Sequence, residues 1–275
     1  MHVVLAIAGS DSSGCAGIQA DIRAITASGG HAATVVTSIT AQSSLRLLGF
    51  YPIPGREVRR QLDAVLGDLP VKAVKSGVLG SVEAVEAVAE ALQGLGLPYV
   101  LDPVMATTAG AELAGAAVIS AMHRRLFPLA TLLTPNAPEA AALTGMPVRD
   151  RDEAVRAGTE LLATGCRAVL VKGGHLPADP FVDVLVERSG HTVFEGTALS
   201  SPNTRGTGCT LASTIATHLA RGMPLRAAVE RGRLHLTSAI HGGYPLPGGG
   251  PVDAFAPYRQ ASGVWPLCPP EVAHV

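Results

Sequence analysis

Short runs of Val, Leu, Ile and Ala recur along the chain, each closed by Gly, Pro, Ser or Asn and followed by a stretch with helical spacing. The runs cover residues 3–8, 33–39, 71–75, 99–101, 130–133 and 168–171, and helical patterns follow at 18–27, 58–66, 82–92 and 153–163. Near-continuous apolar strands separated by crossover helices dictate a mainly parallel sheet covered on both faces. In such a sheet the ligand lies beyond the carboxyl ends of the strands, so the loops after the strands are where chemistry is to be sought. Two stretches differ: residues 47–53, and the pair 182–187 and 192–195 joined by Arg188-Ser189-Gly190-His191, which reads as an antiparallel hairpin at the sheet edge. A Gly-Thr-Gly-Cys turn then feeds a helix, a second helix runs from about 224 to 240, and a Gly/Pro-rich tail begins at Gly242. No linker splits the chain, so one domain is expected over 1–245, with the tail 246–275 packed on it or trailing from it.

Composition excludes several function classes. With 47% hydrophobic residues, 31 glycines and a net charge of −1, the 275-residue chain has the core of a globular protein but no basic stripe for nucleic acid or an anionic membrane surface. The opening Met-His-Val-Val-Leu-Ala-Ile-Ala-Gly lacks the basic start of a signal peptide, and no run approaches the ~20 apolar residues of a membrane span, so a cytoplasmic protein is expected. Cys15, Cys166, Cys209 and Cys268 show no Cys-x-x-Cys spacing, which predicts neither a zinc site nor a disulfide framework.

The richest segment is Gly206-Thr207-Gly208-Cys209. Its glycines let backbone approach a ligand, and the unpaired N–H groups of the next helical turn form an anion hole. Cys209 stands at the same helix mouth, where the macrodipole favours thiolate and makes the side chain a candidate proton acceptor. Taken alone, the segment reads as well as a glycine turn with a small buried Cys. The bend Gly9 to Gly17 after the first strand offers a backbone shelf for a flat ligand, with Asp21 on the next helix either a hydrogen-bond acceptor or a solvated carboxylate. Its spacing fits neither Gly-x-Gly-x-x-Gly nor a P-loop. Asp102 ends one strand; Asn136 and Glu139 follow another and read as a capping box. If Asp102 and Glu139 converge, they suit Mg²⁺ beside nucleotide phosphates. Lys172, in Val171-Lys172-Gly173-Gly174-His175, is a phosphate point charge or an ordinary strand-end lysine, and Lys75 presents the same choice.

Taken in order, Ala6 to Asp11, Gly17 to Asp21, Thr40-Ala41-Gln42, Asp102 to Met105, Thr134-Pro135-Asn136, Val171 to His175 and Asn203 to Thr210 resemble the hydroxymethylpyrimidine/phosphomethylpyrimidine kinases of thiamine biosynthesis, collinearly over about residues 3 to 245. The resemblance implies a ribokinase-like three-layer α/β/α sandwich, and ATP- and Mg²⁺-dependent phosphorylation of 4-amino-5-hydroxymethyl-2-methylpyrimidine and then of its monophosphate. It implies a pyrimidine pocket of Gly9, Asp21, Gln42, Val78 and Val104; catalysis by Cys209 as base with Gly206, Thr207, Gly208 and Lys172; nucleotide contacts from Asn136, Lys172, Gly174, Arg205 and Thr207; and metal ligation by Asp102 and Glu139. A homodimer is also implied. Arg205, Val78, Cys15, Thr108 and Ala254 depart from the family pattern, where His, Met, Gly, Lys and His are usual. Two competing readings stand beside this one: a pyridoxal/pyridoxine kinase, and a pyrimidine-binding regulatory protein that has lost turnover.

Overall fold

The computed structural model describes residues 1–106, 110, 112–174, 181–196, 199 and 201–258, so the expectations placed on Thr108, His175 and Cys268 lie outside the described residues. Along the chain run β1 (His2–Asp11), α1 (Gly17–Ala27), β2 (Gly30–Gln42), β3 (Leu47–Pro52), α2 (Gly55–Asp68), β4 (Val71–Ser76), α3 (Val82–Leu92), β5 (Tyr99–Leu101) and α4 (Ala116–Arg125). There follow β6 (Leu132–Leu133), α5 (Ala137–Thr144), α6 (Arg151–Leu162), β7 (Ala168–Val171), β8 (Phe181–Glu187), β9 (Gly190–Gly196), α7 (Thr207–Ala220) and α8 (Leu225–His241).

The strands form one sheet in the order β3-β2-β1-β4-β5-β6-β7-β8-β9. Pairing is parallel from β2 through β7, whereas β3 and the β8–β9 hairpin add antiparallel edges. The expected hairpin is therefore present, and the stretch at 47–53 that departs from the βα pattern holds the opposite edge strand. Alternation along each strand assigns the two faces. Leu5, Ile7, Val74, Leu101, Leu133 and Val169 pack under α2 to α6. Val4, Ala6, Ala73, Val100, Ala168 and Leu170 pack under α1, α7 and α8. Side chains are smaller on the second face, which lets α7 lie close over β1, β4 and β5. Helix α4 has no counterpart among the predicted helices: it buries only Val118, Ala121 and Met122, and its last turn is basic. The segment after α8 turns back onto the domain, with Val252 N–H donating to the Arg205 carbonyl and Ala254 packed against Ala24 and Ala27. Among the described residues no helix is long and apolar enough to cross a membrane.

Two glycines and one buried ion pair fix the carboxyl-end rim. Gly17 (φ 57°) and Gly206 (φ 78°) start α1 and α7 in the left-handed region, and a Cβ on either would run into a carbonyl oxygen, that of Gly9 or of Cys15. Lys75 Nζ, wholly buried at the end of β4, donates to both carboxylate oxygens of Asp21 at 2.7 and 2.9 Å, and Ser213 of α7 donates to the same carboxylate at 2.8 Å. Burial opposes the Lys75 charge, but Asp21, aided by Cys209 and Asp102, holds its pKa above the ordinary lysine value.

Gly206→Ala is expected to cost about 1–3 kcal/mol more in urea denaturation than Gly94→Ala, because Gly94 shares the positive φ but has open space around it. Equal losses would show that the Cys15 carbonyl does not restrict this turn. Asp21→Asn removes the countercharge of a buried lysine and is expected to lower stability by about 3–5 kcal/mol, measured the same way.

Candidate active site

Because β1, β4, β5, β6 and β7 run parallel, their carboxyl ends open on one rim, where a crevice of about 1100 Å³ lies. The first wall is the β1–α1 bend. Asp11 shapes it: Oδ1 accepts from Ser13 N–H and Oδ2 from Ala16 N–H, both at 2.9 Å. Gly9 lies under this bend, and a Cβ there would strike Ser38 Oγ. Gln42 ends β2 with its backbone clamped by Ser12, whose hydroxyl donates to the Gln42 carbonyl at 2.7 Å and accepts from its N–H at 2.8 Å. Thr37 Oγ1 donates to the Val78 carbonyl and fixes the turn after β4. Gly9, Gln42, Val78 and Val104 all line the crevice. Asp21 does not. The expectation that its carboxylate meets a ligand is corrected by its complete burial behind the wall, where Lys75 and Ser213 occupy it.

The opposite wall is charged. Asp102, at the end of β5, accepts from Lys172 Nζ and Thr134 Oγ1, each at 2.8 Å through Oδ1. Lys172 also stands 4.0 Å from Glu139, so Asp102 and Glu139 do converge, with the ammonium between them. Burial raises the Asp102 carboxyl, but Lys172 and Lys75 outweigh it and leave its pKa below the ordinary value. For Glu139 burial wins over Lys172 and pushes the pKa up to about 7. The capping box is real as well: Asn136 Oδ1 accepts from Glu139 N–H and Glu139 Oε2 from Asn136 N–H, both at 2.8 Å. Both residues, with Gly174, line the crevice.

Helix α7 points its N-terminus between these walls. A Cβ on Gly208 would lie 3.3 Å from both Asp102 Oδ2 and Lys172 Nζ, so the first turn of α7 borders the charged wall. Cys209 is half-buried on the crevice surface beside Gly17, whose N–H approaches its sulfur. The expected thiolate is corrected: burial pushes the Cys209 thiol up to about 11, and the nearby Lys75 recovers only part of that rise. Arg205, one residue before the turn, is buried and donates from Nη1 to the Ser44 carbonyl at 3.0 Å, so its side chain runs toward the β2–β3 connection. Cys15 is buried and packs within the first bend.

Sequence reasoning missed the feature beside β8. Asp183 accepts from Gly173 N–H at 2.8 Å and from Arg233 Nε at 2.7 Å, and the Arg233 guanidinium lies over the Phe181 and Phe194 rings. A lone carboxylate inside the apolar run Val182-Asp183-Val184-Leu185-Val186 was the available sign. Ser213 carried none, being one of five hydroxyl side chains along α7.

The sequence matches the family model described as phosphomethylpyrimidine kinase over residues 11–253. It is 44% identical over 252 residues to the hydroxymethylpyrimidine/phosphomethylpyrimidine kinase of Streptomyces coelicolor, covering 91% of this chain and 93% of that protein. A similar match, 45% over 252 residues, is to the thiamine biosynthesis bifunctional protein ThiED of Geobacter sulfurreducens; it covers 91% of this chain but 51% of the other, so the chain spans about half the length of that relative. Among solved structures, the ADP complex of Bacillus subtilis pyridoxal kinase is similar with a TM-score of 0.87 and 33% identity, covering 94% of this chain and 99% of that one. The fold is accordingly ribokinase-like. Matched by the family model from the first glycine bend to beyond α8, the chain belongs to the phosphomethylpyrimidine kinase family.

Proposed function

We infer that the protein transfers the γ-phosphoryl group of ATP to the hydroxyl of 4-amino-5-hydroxymethyl-2-methylpyrimidine and then to the resulting monophosphate, giving the diphosphate used in thiamine biosynthesis. The observation that carries this reading is the meeting, in one crevice, of the α7 N-terminus and Cys209 with the shelf of Gly9, Gln42, Val78 and Val104. The ring rests on the Gly9 backbone, and Gln42 supplies the polar contact that distinguishes its edge. Asn136, Lys172, Gly174 and Thr207 face the nucleotide, with Lys172 beside the transferred phosphoryl group.

A loose phosphoryl transfer demands positioning and neutralised charge more than covalent help. The N–H groups of Gly206 and Gly208 are preorganised donors for the oxygens on which charge gathers, while Thr207 N–H already leans on the Thr204 carbonyl at 3.4 Å. Asp102 and Glu139 suit Mg²⁺, which takes one or two carboxylates together with phosphate oxygens and water; Asp102 Oδ2 has no donor among the described residues and faces the α7 mouth. Bound there, the ion would neutralise phosphate charge. Cys209 accepts the proton of the attacking alcohol, a task for its minor thiolate form at neutral pH. In the second round the acceptor is a phosphate monoester whose second pKa is about 6, so it arrives deprotonated and asks nothing of Cys209.

A second copy of the chain is the proposed partner, and the exposed Ile39, Leu48 and Tyr51 of the β2–β3 edge are the apolar surface it would cover. One rival reading draws on the likeness to the B. subtilis pyridoxal kinase. A pyridoxine kinase would phosphorylate once and stop.

Steady-state rates with the pyrimidine alcohol, its monophosphate and pyridoxine separate the two readings. The expected order places both pyrimidines above pyridoxine, and no turnover of the monophosphate would defeat the diphosphate-forming assignment. EDTA is expected to abolish turnover while leaving pyrimidine binding, followed by calorimetry, intact. Since the Cys209 pKa is raised, its thiolate fraction grows about tenfold per pH unit from neutrality toward 11, and kcat/KM for the alcohol is expected to climb with it. Cys209→Ala should remove that climb and slow the alcohol about 10²–10⁴-fold at alkaline pH, with a much smaller effect on the monophosphate. A plateau already reached at pH 7 would mean that the loaded site holds a thiolate.

A further inference from the structure

Among the described residues four side chains of fixed or usual positive charge line the crevice: Lys75, Lys172, Arg205 and Arg233. Three are matched by a carboxylate, Lys75 by Asp21 at 2.7 Å, Lys172 by Asp102 at 2.8 Å and Arg233 by Asp183 at 2.7 Å. Arg205 forms no ion pair with any described residue. It is nevertheless 7% exposed, and its Nε is sealed from solvent with no hydrogen-bond partner. A guanidinium does not shed its proton, so a buried, uncompensated one is costly unless an anion arrives.

The backbone prevents Arg205 from avoiding that cost by moving outward. Its N–H donates to the Gly250 carbonyl at 3.1 Å and its carbonyl accepts from Val252 N–H at 3.1 Å, which pins the residue between α7 and the returning 250–252 segment. Nη1 is spent on the Ser44 carbonyl. Of the remaining edge, Nε–H is sealed inside and Nη2 is the accessible corner without a partner among the described residues, so Nη2–H is the donor that a phosphate oxygen can meet. The side chain extends toward Ser44, two residues beyond Gln42, and so lies on the acceptor side of the crevice, away from Asn136 and Gly174.

Given the proposed two-round reaction, on which this step rests, the acceptor side changes charge between rounds: it first holds a neutral alcohol and then a phosphate dianion. The geometry points to Arg205 as the residue that binds the phosphate of the monophosphate acceptor and thereby admits the second phosphorylation. One oxygen of that phosphate forms a bond to the γ-phosphorus while the bond from that phosphorus to the bridging oxygen of ADP breaks, its electron pair leaving with ADP. No proton moves. Another oxygen stays on the Arg205 guanidinium, whose charge offsets the repulsion between acceptor and donor phosphates.

The test compares wild-type, Arg205→Gln and Arg205→Lys, with KM and kcat measured separately for ATP, the alcohol and the monophosphate, and with monophosphate binding to the nucleotide-free protein followed by calorimetry. In Arg205→Gln the KM and Kd for the monophosphate are expected to rise roughly 10- to 100-fold, and the ratio of kcat/KM for monophosphate over alcohol to fall by a similar factor. Arg205→Lys restores charge without the guanidinium and should recover part of the loss; it carries the test if the glutamine variant melts early. A rise confined to the KM for ATP, or equal losses with both acceptors, overturns the assignment. Failure of the wild-type protein to phosphorylate either pyrimidine would instead overturn the proposed function, a result visible before any variant is made.

Discussion

Two lysine–aspartate pairs hold the crevice in register. Lys75 joins the end of β4 to Asp21 of α1, and Lys172 joins the end of β7 to Asp102 after β5. Neither pair is a stabilising ornament, since taking two charges out of water costs nearly as much as their attraction returns. What they provide is geometry: four segments from separate parts of the chain are fixed around the mouth of α7, and Ser213 on that helix ties itself to the Asp21 end. The pairs also cancel most of the lysine charge along the crevice. What remains positive along the crevice is the α7 N-terminus and Arg205.

The parallel sheet makes this arrangement inexpensive to build. Strand ends, which would otherwise present unpaired carbonyl and N–H groups, are continued by short turns that carry the functional residues while still pairing locally. Asp102 N–H donates to the Ser76 carbonyl and Lys172 N–H to that of Pro135, each at 2.9 Å, so each side chain is placed by a strand-like bond one residue past its strand. Asn136 shows the same economy, capping α5 with its side chain while bordering the crevice. Cap and ligand contact are compatible because one amide carries both an acceptor and donors.

The layers, the parallel core, the edge hairpin and the rim loops were legible in the sequence because each rests on local rules: apolar runs, turn residues and helix starts. Gly206 to Cys209 was legible for the same reason. Asp21 was not, because a carboxylate on an amphipathic helix looks alike whether it meets solvent, a ligand or a buried lysine 54 positions away. The Cys209 thiol failed in an instructive direction. Its helix position, readable in sequence, argues for a thiolate, but the burial that opposes it comes from packed neighbours on α1, β4 and β5. The Asp183–Arg233 pair likewise depends on α8 folding back over β8, which no local pattern announces.

An uncharged thiol at the α7 mouth has its own logic. An ionised group in that place would compete with phosphate for the first-turn amides and would add its charge to that of Asp102 across the gap. A protonated sulfur leaves the Gly206 and Gly208 amides without a competing anion, so on the proposed reaction the field of the helix acts on the phosphate. The same neutrality suits a site that must accept an alcohol and then a dianion, since a permanent negative charge beside the acceptor would repel the second of these. On the proposed reaction, burial of Cys209 trades strength as a base in the first round for tolerance of charge in the next.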